Sequence, residues 1–299
     1  LRILIEMFQG LKDTSILQML LLGAEYLRAR GVADSRAEAD ILLAHILGIS
    51  RDKLYLERDL KVSDQDLKWY ARLLERRGKR EPLAYVVNKR EFMGLEFYVD
   101  QRVLIPRPET EILVEKVLAM GKTKYDMGHN KGETKPRVLD LCTGSGALAV
   151  AISYYWPEAK ITAVDLSADA LEVAKYNAAK MKTPIDFRQG DLFQPLNEEK
   201  FDIIVSNPPY VSIKEYAECS PEVKHEPPLA LLAGEDGLDF YRRIAAQAGN
   251  FLRATGTIFL EIGCTQGKRV VELFAENGFK TVIFPDYAGL DRIVLAEKE

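Results

Sequence analysis

The chain has 299 residues, of which 47% are hydrophobic and 29% charged, a composition typical of soluble globular proteins and not of disordered ones. Its length favours two domains, one of them large. The net charge of −4 and the sequence pI near 5.7 argue against a broad basic face for a phosphate backbone, although a local basic groove is still compatible with them.

The three cysteines, Cys142, Cys219 and Cys264, are scattered and show neither a pairing framework nor metal-ligand spacing. They indicate a reducing compartment and no metal site. The most apolar early stretch, residues 16–22, is too short to span a bilayer. The start of the chain has no signal-peptide pattern. We therefore expect a cytoplasmic protein without a membrane partner.

Residues 1 to about 85 show helical spacing of apolar side chains and no alternating strand pattern. Ser63 is a typical helix start, and that helix ends in the basic run 76–80. Cations at this place suit the negative end of a helix dipole, and an acidic partner is the alternative reason for them. The pattern predicts a small helical bundle.

After residue 82 the pattern changes to short apolar and aromatic segments that are typical of strands. The predicted strand segments are residues 85–87, 91–99 and 103–105. A β-hairpin linker fits them best, and Pro106 ends it. Residues 110–120 then predict a helix, and the polar, glycine-containing segment 121–135 predicts a surface loop.

From Arg137 onward, short apolar runs alternate with helical stretches. The candidate strands are residues 138–141, 161–164, 185–187, 203–205, 258–260, 282–284 and 292–295. The main candidate helices are residues 147–156, 168–181 and 267–277. Buried runs that are joined by helical crossovers predict an α/β fold with a mostly parallel, doubly wound sheet, which binds ligands at the C-terminal ends of its strands.

Three successive strand ends carry residues typical of a nucleotide-like ligand. The segment 140–147, Asp-Leu-Cys-Thr-Gly-Ser-Gly-Ala, joins a strand to a helix, and its small residues allow close approach of a ligand. Asp165 ends the next strand, where an acid can accept from both hydroxyls of a ribose. Asp191 follows the third strand, where a carboxylate can accept from an adenine amine while Leu192 or Phe193 covers the ring.

The glycine motif alone leaves alternatives open. A dinucleotide dehydrogenase shares it, and so does a tight turn that binds nothing. The absence of a following Gly-Lys-Ser/Thr argues against a phosphate-cradling NTPase loop. The predicted ligand-binding residues are Asp140, Cys142, Thr143, Gly144, Ser145, Gly146, Asp165, Asp191 and Leu192.

Asn207-Pro208-Pro209-Tyr210 follows the apolar residues 203–205 at a predicted strand's C-terminal end. Two consecutive prolines form a rigid segment without N–H groups, so its carbonyls stay free as acceptors. The Asn207 side-chain oxygen and the Pro208 carbonyl can then accept from one NH2 group, and Tyr210 can lie flat against a planar substrate. A proline-rich turn that merely ends the strand is the alternative.

Such a segment suits an amide or aromatic amine as the nucleophile. The lone pair of this nitrogen is delocalised and attacks poorly. Two acceptors orient it toward a methyl donor and stabilise the positive charge that develops on nitrogen. We therefore predict methyl transfer to a planar nitrogen, with the four residues 207–210 as the catalytic segment.

With these motifs, the chain resembles the class I S-adenosylmethionine-dependent methyltransferases, and within them the peptide-chain release-factor glutamine methyltransferases, the HemK/PrmC family. The resemblance covers nearly the whole chain. Besides the two motifs above, it rests on Glu81-Pro82-Leu83-Ala84-Tyr85, Glu91-Phe92-Met93-Gly94-Leu95, Leu104-Ile105-Pro106-Arg107-Pro108-Glu109-Thr110-Glu111, Glu226-Pro227-Pro228-Leu229-Ala230-Leu231 and Asp236-Gly237-Leu238-Asp239-Phe240-Tyr241.

The resemblance implies a Rossmann-like, seven-stranded methyltransferase sheet in residues 107–299, a β-hairpin linker in residues 86–106 and a substrate-recognising helical bundle in residues 1–85. It implies methylation of the side-chain amide nitrogen of the glutamine in the Gly-Gly-Gln loop of translation release factors. S-adenosylmethionine would be the methyl donor and S-adenosylhomocysteine the product. We expect a monomer with a release factor as its partner and no direct nucleic-acid partner.

The resemblance also assigns roles to individual residues. The glycine motif, Asp165 and the pair Asp191-Leu192 would hold the cofactor, and Asn207 would touch both cofactor and substrate. Three residues beside the pocket would contact the substrate: Arg107, Glu109 and Thr110. Simple capping of the following helix is the alternative reason for them.

At three positions the chain departs from the family pattern. Cys142 and Asn88 stand where the family usually has glycine, and Leu192 stands where a tryptophan is common. Asparagine tolerates a left-handed backbone, so we expect Asn88 to adopt one.

Three alternatives stay open. Ribosomal-protein glutamine methyltransferases also carry Asn-Pro-Pro-Tyr but usually differ in residues 106–111. Nucleic-acid adenine methyltransferases hold an adenine amine with the same segment, but they call for a basic catalytic face and a target-recognition domain. The third is a binding module attached to an inactive sheet, and the intact set of Asp165, Asp191 and Asn207 argues against it.

Overall fold

The computed structural model describes residues 14–123 and 135–299, and it divides into two compact units. One unit contains the described residues up to Asn88 together with the short segment Ser220–His225. The other contains Lys89–Cys219 and Glu226–Glu299. No helix in the described ranges is long and apolar enough to cross a bilayer.

The first unit is helical, as predicted. Its helices are α1 (Ile16–Arg28), α2 (Ser35–Leu47), α3 (Arg51–Leu56), α4 (Asp64–Gly78) and α5 (Leu83–Val87). The Ser63 side chain accepts a hydrogen bond from the backbone N–H of Asp66, which confirms the predicted helix start. Buried leucines from α1, α2 and α4, with Tyr70 among them, form the core.

The predicted strand at residues 85–87 is wrong, because these residues belong to α5. Pro82 gives the helix an extended entry, and Asn88 ends it with φ of 53°. Asn88 therefore has the left-handed backbone expected for it. Tyr85, Val86 and Val87 are all buried, so packing outweighs the strand preference of their side chains.

The basic run at the end of α4 pairs with carboxylates of its own unit. Arg77 contacts Glu38, and Arg80 binds both carboxylate oxygens of Glu222, at 2.6 and 2.8 Å. Arg77 donates a third hydrogen bond to Glu222, at 3.0 Å. Burial raises the pKa of Glu222, but these hydrogen bonds outweigh it and hold the pKa at about 2.

Glu222→Gln is therefore expected to lower the melting temperature of the protein at neutral pH. A carboxyl whose pKa is depressed on folding stabilises above its unfolded value of about 4.5, and this contribution disappears as pH falls through about 2. The difference in melting temperature between parent and variant should therefore disappear as pH falls from about 4.5 to about 2. Thermal unfolding at a series of pH values measures it, with Glu25→Gln, at an exposed acid of the same unit, as control. A gap that stays constant with pH would contradict the prediction.

The second unit begins with the predicted hairpin, which is shorter than expected: β1 (Arg90–Phe92) pairs with β2 (Leu95–Phe97). The predicted strand at residues 103–105 is wrong, because this segment is irregular. The backbone N–H of Ile105 donates to the buried side chain of Glu226 and not to a neighbouring strand. Helix α6 (Pro108–Lys116) follows, and a π-helical turn continues it over Val117–Lys122. The rest of the predicted loop, residues 124–134, lies outside the described residues.

The remaining seven strands form one mixed sheet in the order β5-β4-β3-β6-β7-β9-β8, which confirms the predicted fold. They are β3 (Arg137–Leu141), β4 (Lys160–Asp165), β5 (Ile185–Gln189), β6 (Phe201–Ser206), β7 (Leu252–Glu261), β8 (Phe279–Pro285) and β9 (Asp291–Lys298). The first five in this order are parallel, and β9 runs antiparallel to both of its neighbours.

Helices cover both faces of the sheet. The helices after α6 are α7 (Ala147–Tyr155), α8 (Ala168–Met181), α9 (Ile213–Glu218), α10 (Asp239–Phe251) and α11 (Gly267–Glu276), and the short α9 has no buried residue. Alternate residues of each strand face different helices: Val138 packs with α6 and α7, whereas Leu139 and Leu141 pack with α10 and α11. The chain passes from β3 to β4 on one side and later returns to place β6 on the other side of β3. The C-terminal ends of β3 and β6 therefore form a switch point, where such sheets bind ligands.

Candidate active site

A cavity lies at this switch point, with an empty volume of about 740 Å³. Leu141 and Ser206 pair in register, so the glycine motif and the Asn-Pro-Pro-Tyr segment leave the sheet side by side. The cavity is lined by these predicted residues: Cys142, Gly144, Asp165, Asp191, Leu192, Asn207 and Pro209.

Asp165 ties the glycine motif to the end of β4. One carboxylate oxygen accepts from the backbone N–H of Gly144 at 2.7 Å, and the other accepts from that of Ser167 at 2.9 Å. Burial raises the pKa of Asp165 despite these bonds. The backbone of Leu166 also donates to this carboxylate, which has about four acceptor positions, so acceptor capacity is still available to the hydroxyl of a ligand.

The other residues of the motif shape the turn and do not line the cavity. Asp140 is fully buried and accepts from the Thr143 hydroxyl at 2.6 Å and from the Ala149 N–H at 3.2 Å. Burial raises its pKa to about 7, and no described residue donates to its second oxygen, Oδ1. Gly146 has φ of +79°, and a Cβ there would meet Ala174 at 3.1 Å. The Ser145 carbonyl accepts from the Asn177 side chain.

Two residues of the lining have a left-handed backbone although they are not glycine. Cys142 has φ of 60° and Leu192 has φ of 50°. Such conformations cost energy and concentrate at functional sites. Cys142 stands where the family that the sequence resembles usually has glycine, and glycine adopts this left-handed backbone without a steric cost.

At the end of β5, Leu192 lines the cavity and Phe193 does not. Phe193 stacks on Phe251 at 4.7 Å between ring centroids and belongs to the core. Asp191 lines the cavity and forms an ion pair with Arg243 at 2.6 Å. Phe240 also lines the cavity, although it was not among the predicted ligand-binding residues. Two apolar side chains, Leu192 and Phe240, therefore line the cavity together with a half-exposed carboxylate.

Asn207 donates from Nδ2 to the Thr110 hydroxyl at 3.2 Å. No residue of the described ranges donates to its Oδ1 or to the Pro208 carbonyl. Both prolines are buried. Tyr210 is half-buried against the core, and its carbonyl accepts from Gln266 at 2.9 Å. Its ring does not line the cavity.

Two residues of the segment 106–111 bond to buried glutamates near the cavity. Arg107 pairs with Glu226, a 2% exposed acid that also accepts from the Ile105 N–H at 3.0 Å. The Thr110 hydroxyl donates to the buried Glu261 at 2.6 Å. Glu109 is exposed. None of the three predicted substrate residues of this segment lines the cavity.

Sequence reasoning missed Glu226 and Glu261 as site residues. Glu261 is the last residue of β7, so the strand-end rule that identified Asp165 applies to it as well. Glu226 lies in a loop, and nothing in its local pattern indicates its partners.

The residues at the cavity fit an adenosyl ligand. The half-buried Asp165 carboxylate lines the cavity at the strand end where the sequence predicts a ribose, and Leu192 and Phe240 supply apolar walls. Over residues 14–123 and 135–299, no group of three or more His, Cys, Asp or Glu side chains is arranged to hold a metal ion.

Two family models match the chain. Residues 18–87 match the PrmC N-terminal domain, and residues 126–226 match the methyltransferase small domain.

Curated relatives match over almost the full length. A release factor glutamine methyltransferase of Chlamydia trachomatis serovar L2 is 39% identical, over 92% of each chain. A bifunctional methyltransferase of Rickettsia felis is 36% identical over 94% of this chain, which spans only 58% of that longer protein. Among solved structures, a methyltransferase from Pyrococcus furiosus superposes with a TM-score of 0.50, covering 69% of this chain and 89% of that one, at 18% identity. This last likeness concerns the fold alone.

Proposed function

We propose, since this chain belongs to the family of release factor glutamine methyltransferases, that it methylates the side-chain amide nitrogen of a glutamine in a translation release factor. The methyl donor is S-adenosylmethionine, and the target is the glutamine of the Gly-Gly-Gln loop. The observation that carries the proposal is a pair of acceptors to which no described residue donates, the Oδ1 of Asn207, which lines the cavity, and the carbonyl of the adjacent Pro208.

These two acceptors suit the chemistry of an amide nucleophile. An amide NH2 group has two hydrogens to donate and a lone pair that is delocalised into its carbonyl. Asn207 and Pro208 hold both hydrogens, which orients the lone pair and stabilises the positive charge that develops on nitrogen. The new N–C bond leaves this nitrogen acidic, so its extra proton passes to water and no dedicated base is required.

The bound cofactor would supply a methyl group from a positively charged sulfur, and the S–C bond breaks as the N–C bond forms. Asp165 would accept from the ribose hydroxyls, Asp191 from the adenine amine, and Leu192 would cover the adenine ring. A Cβ at Gly144 would point into open space, with no protein atom within 4 Å. Because glycine leaves this space empty, the cofactor can approach the backbone closely. The cavity then binds the cofactor at the ends of β3, β4 and β5 and the amide at the end of β6.

We assign substrate recognition to the helical bundle, residues 1–85, and the chemistry to residues 107–299, with the hairpin segment 86–106 as the linker. The match of residues 18–87 to the PrmC N-terminal domain supports this division. We also propose a monomer that has the release factor as its partner.

Transfer of a radiolabelled methyl group to purified release factor tests the proposal. The comparison substrates are a release factor with its loop glutamine changed to alanine, ribosomal proteins, and DNA. Label is expected in the unmodified factor only. Equal label in the alanine factor, or label in ribosomal protein or DNA alone, would overturn the substrate assignment in favour of one of the other substrates.

A further inference from the structure

We propose that Thr110 and Glu261 are positioning residues for methyl transfer, which hold the Asn207 amide with its oxygen toward the substrate nitrogen. The proposal rests on the proposed function, because it explains how one acceptor of that reaction is oriented. It reassigns Thr110 from substrate contact to support of Asn207, and it gives Glu261 a role in the reaction.

The three side chains form a continuous hydrogen-bonded chain. Asn207 Nδ2 donates to Thr110 Oγ1 at 3.2 Å, and Thr110 Oγ1 donates to Glu261 Oε2 at 2.6 Å. Thr110 is 3% exposed and Glu261 is 1% exposed, so water does not compete for these bonds. These hydrogen bonds connect three separate places in the fold: the start of α6, the end of β7 and the segment after β6.

The direction of these bonds determines which way the amide points. A hydroxyl has one proton and an ionised carboxylate has none, so the Thr110 proton goes to Glu261. Thr110 can then only accept from Asn207, and Nδ2 must face it. Oδ1 is therefore left for the substrate. In the reversed orientation Asn207 would present its own NH2 group to the substrate NH2 group, and two donors would face each other.

Protonation of Glu261 would remove this control. A protonated carboxyl donates to Thr110, and the Thr110 proton is then free to bind Oδ1 and reverse the amide. Burial raises the pKa of Glu261 to about 7, while the Thr110 hydrogen bond lowers it. The other titratable and charged groups that face Glu261 come from four places in the unit: Arg107 and Glu109 at the start of α6, Tyr210 after β6, Tyr241 on α10 and Arg292 on β9. The arginines favour the ionised form, and Glu109 opposes it.

Substitution of Thr110 tests the hydroxyl separately from the packing. Thr110→Val keeps the shape and removes the hydroxyl, and we expect kcat to fall about 10- to 100-fold, as for other residues that orient a reacting group. The KM for release factor and the Kd for S-adenosylmethionine should change little. Thr110→Ser restores the hydroxyl and should recover most of the loss. Thr183→Val is the matched control, because Thr183 is a buried threonine that bonds only the Ala178 carbonyl at the end of α8.

Glu261→Gln tests the ionisation. Glutamine does not titrate, and like the protonated carboxyl it carries both an acceptor oxygen and a donor group at every pH. In the parent, kcat is expected to fall as pH drops through about 7, and in Glu261→Gln this fall should disappear. A direct readout needs no turnover: the side-chain NH2 resonances of Asn207 should shift with pH in the parent and stay constant in the variant.

The outcomes separate the two proposals. If the parent does not methylate release factor, the proposed function fails. If the parent is active but Thr110→Val has the kcat of Thr110→Ser, or the Asn207 resonances ignore pH in the parent, the positioning role is wrong and the function stands. A loss in Thr110→Val that appears in KM or in cofactor affinity would also overturn it. Thermal unfolding of each variant identifies any that fails to fold.

Discussion

Asn207→Ala is expected to reduce kcat for release factor methylation by about 10²- to 10³-fold, the usual loss when one fixed group at a developing charge is removed. The variant loses the only side-chain acceptor of the pair, while the Pro208 carbonyl is retained. An amide nucleophile held at one hydrogen is free to rotate its lone pair away from the methyl group. The Kd for S-adenosylmethionine should rise by much less than the fall in kcat, because Asn207 is one of many cavity residues.

Single-turnover methylation with saturating cofactor and release factor measures this effect without product release. Asn197→Ala, at an exposed asparagine after β5, is the matched control and should behave as the parent does. Near-normal single-turnover rates for Asn207→Ala would contradict the mechanism. A loss of the same size in cofactor affinity would instead make Asn207 chiefly a cofactor ligand.

The centre of the sheet was predictable because the parallel strands β3, β4 and β6 are buried on both faces. Such strands are continuous apolar runs, for example residues 203–205, and they are recognisable without knowledge of their neighbours. Residues 85–87 and 103–105 have the same local composition, but tertiary contacts decide their structure. Val86 packs in a short helix, and Ile105 is bonded by Glu226, which lies 121 residues further along the chain.

The same limit applies to the site. The positions of Asp165 and Asn207 at the cavity were predictable because the end of a parallel strand is a position that sequence pattern alone locates. The role of Thr110 was not, because it depends on Glu261, which is 151 residues away. A local view of Thr110 indicates only a residue in the first turn of a helix. Strand order and register bring the two together, and neither can be obtained from spacing.

Asp165→Asn is expected to weaken S-adenosylmethionine binding by about 100-fold or more, since hydrogen bonds to a charged group contribute roughly 1.5–3 kcal/mol each. The carboxylate accepts from Gly144 and from Ser167, and it would accept from the ribose hydroxyls as well. Each carboxylate oxygen accepts from one backbone N–H, so the NH2 group of asparagine must face the N–H of either Gly144 or Ser167. The substitution therefore disturbs both the glycine motif and the ligand contact.

Isothermal titration with S-adenosylmethionine measures the Kd, and Asp169→Asn, at an exposed acid in the first turn of α8, is the matched control. With cofactor raised to saturation, kcat of Asp165→Asn should return close to that of the parent, because Asp165 holds the donor and not the amide. Substitution of Asp165 should therefore change mainly the Kd for the cofactor, and substitution of Asn207 should change mainly kcat. A Kd within threefold of that of the parent would mean that the ribose does not bind at Asp165. A kcat that stays low at saturating cofactor would mean that the turn stabilised by Asp165 also positions the reacting groups.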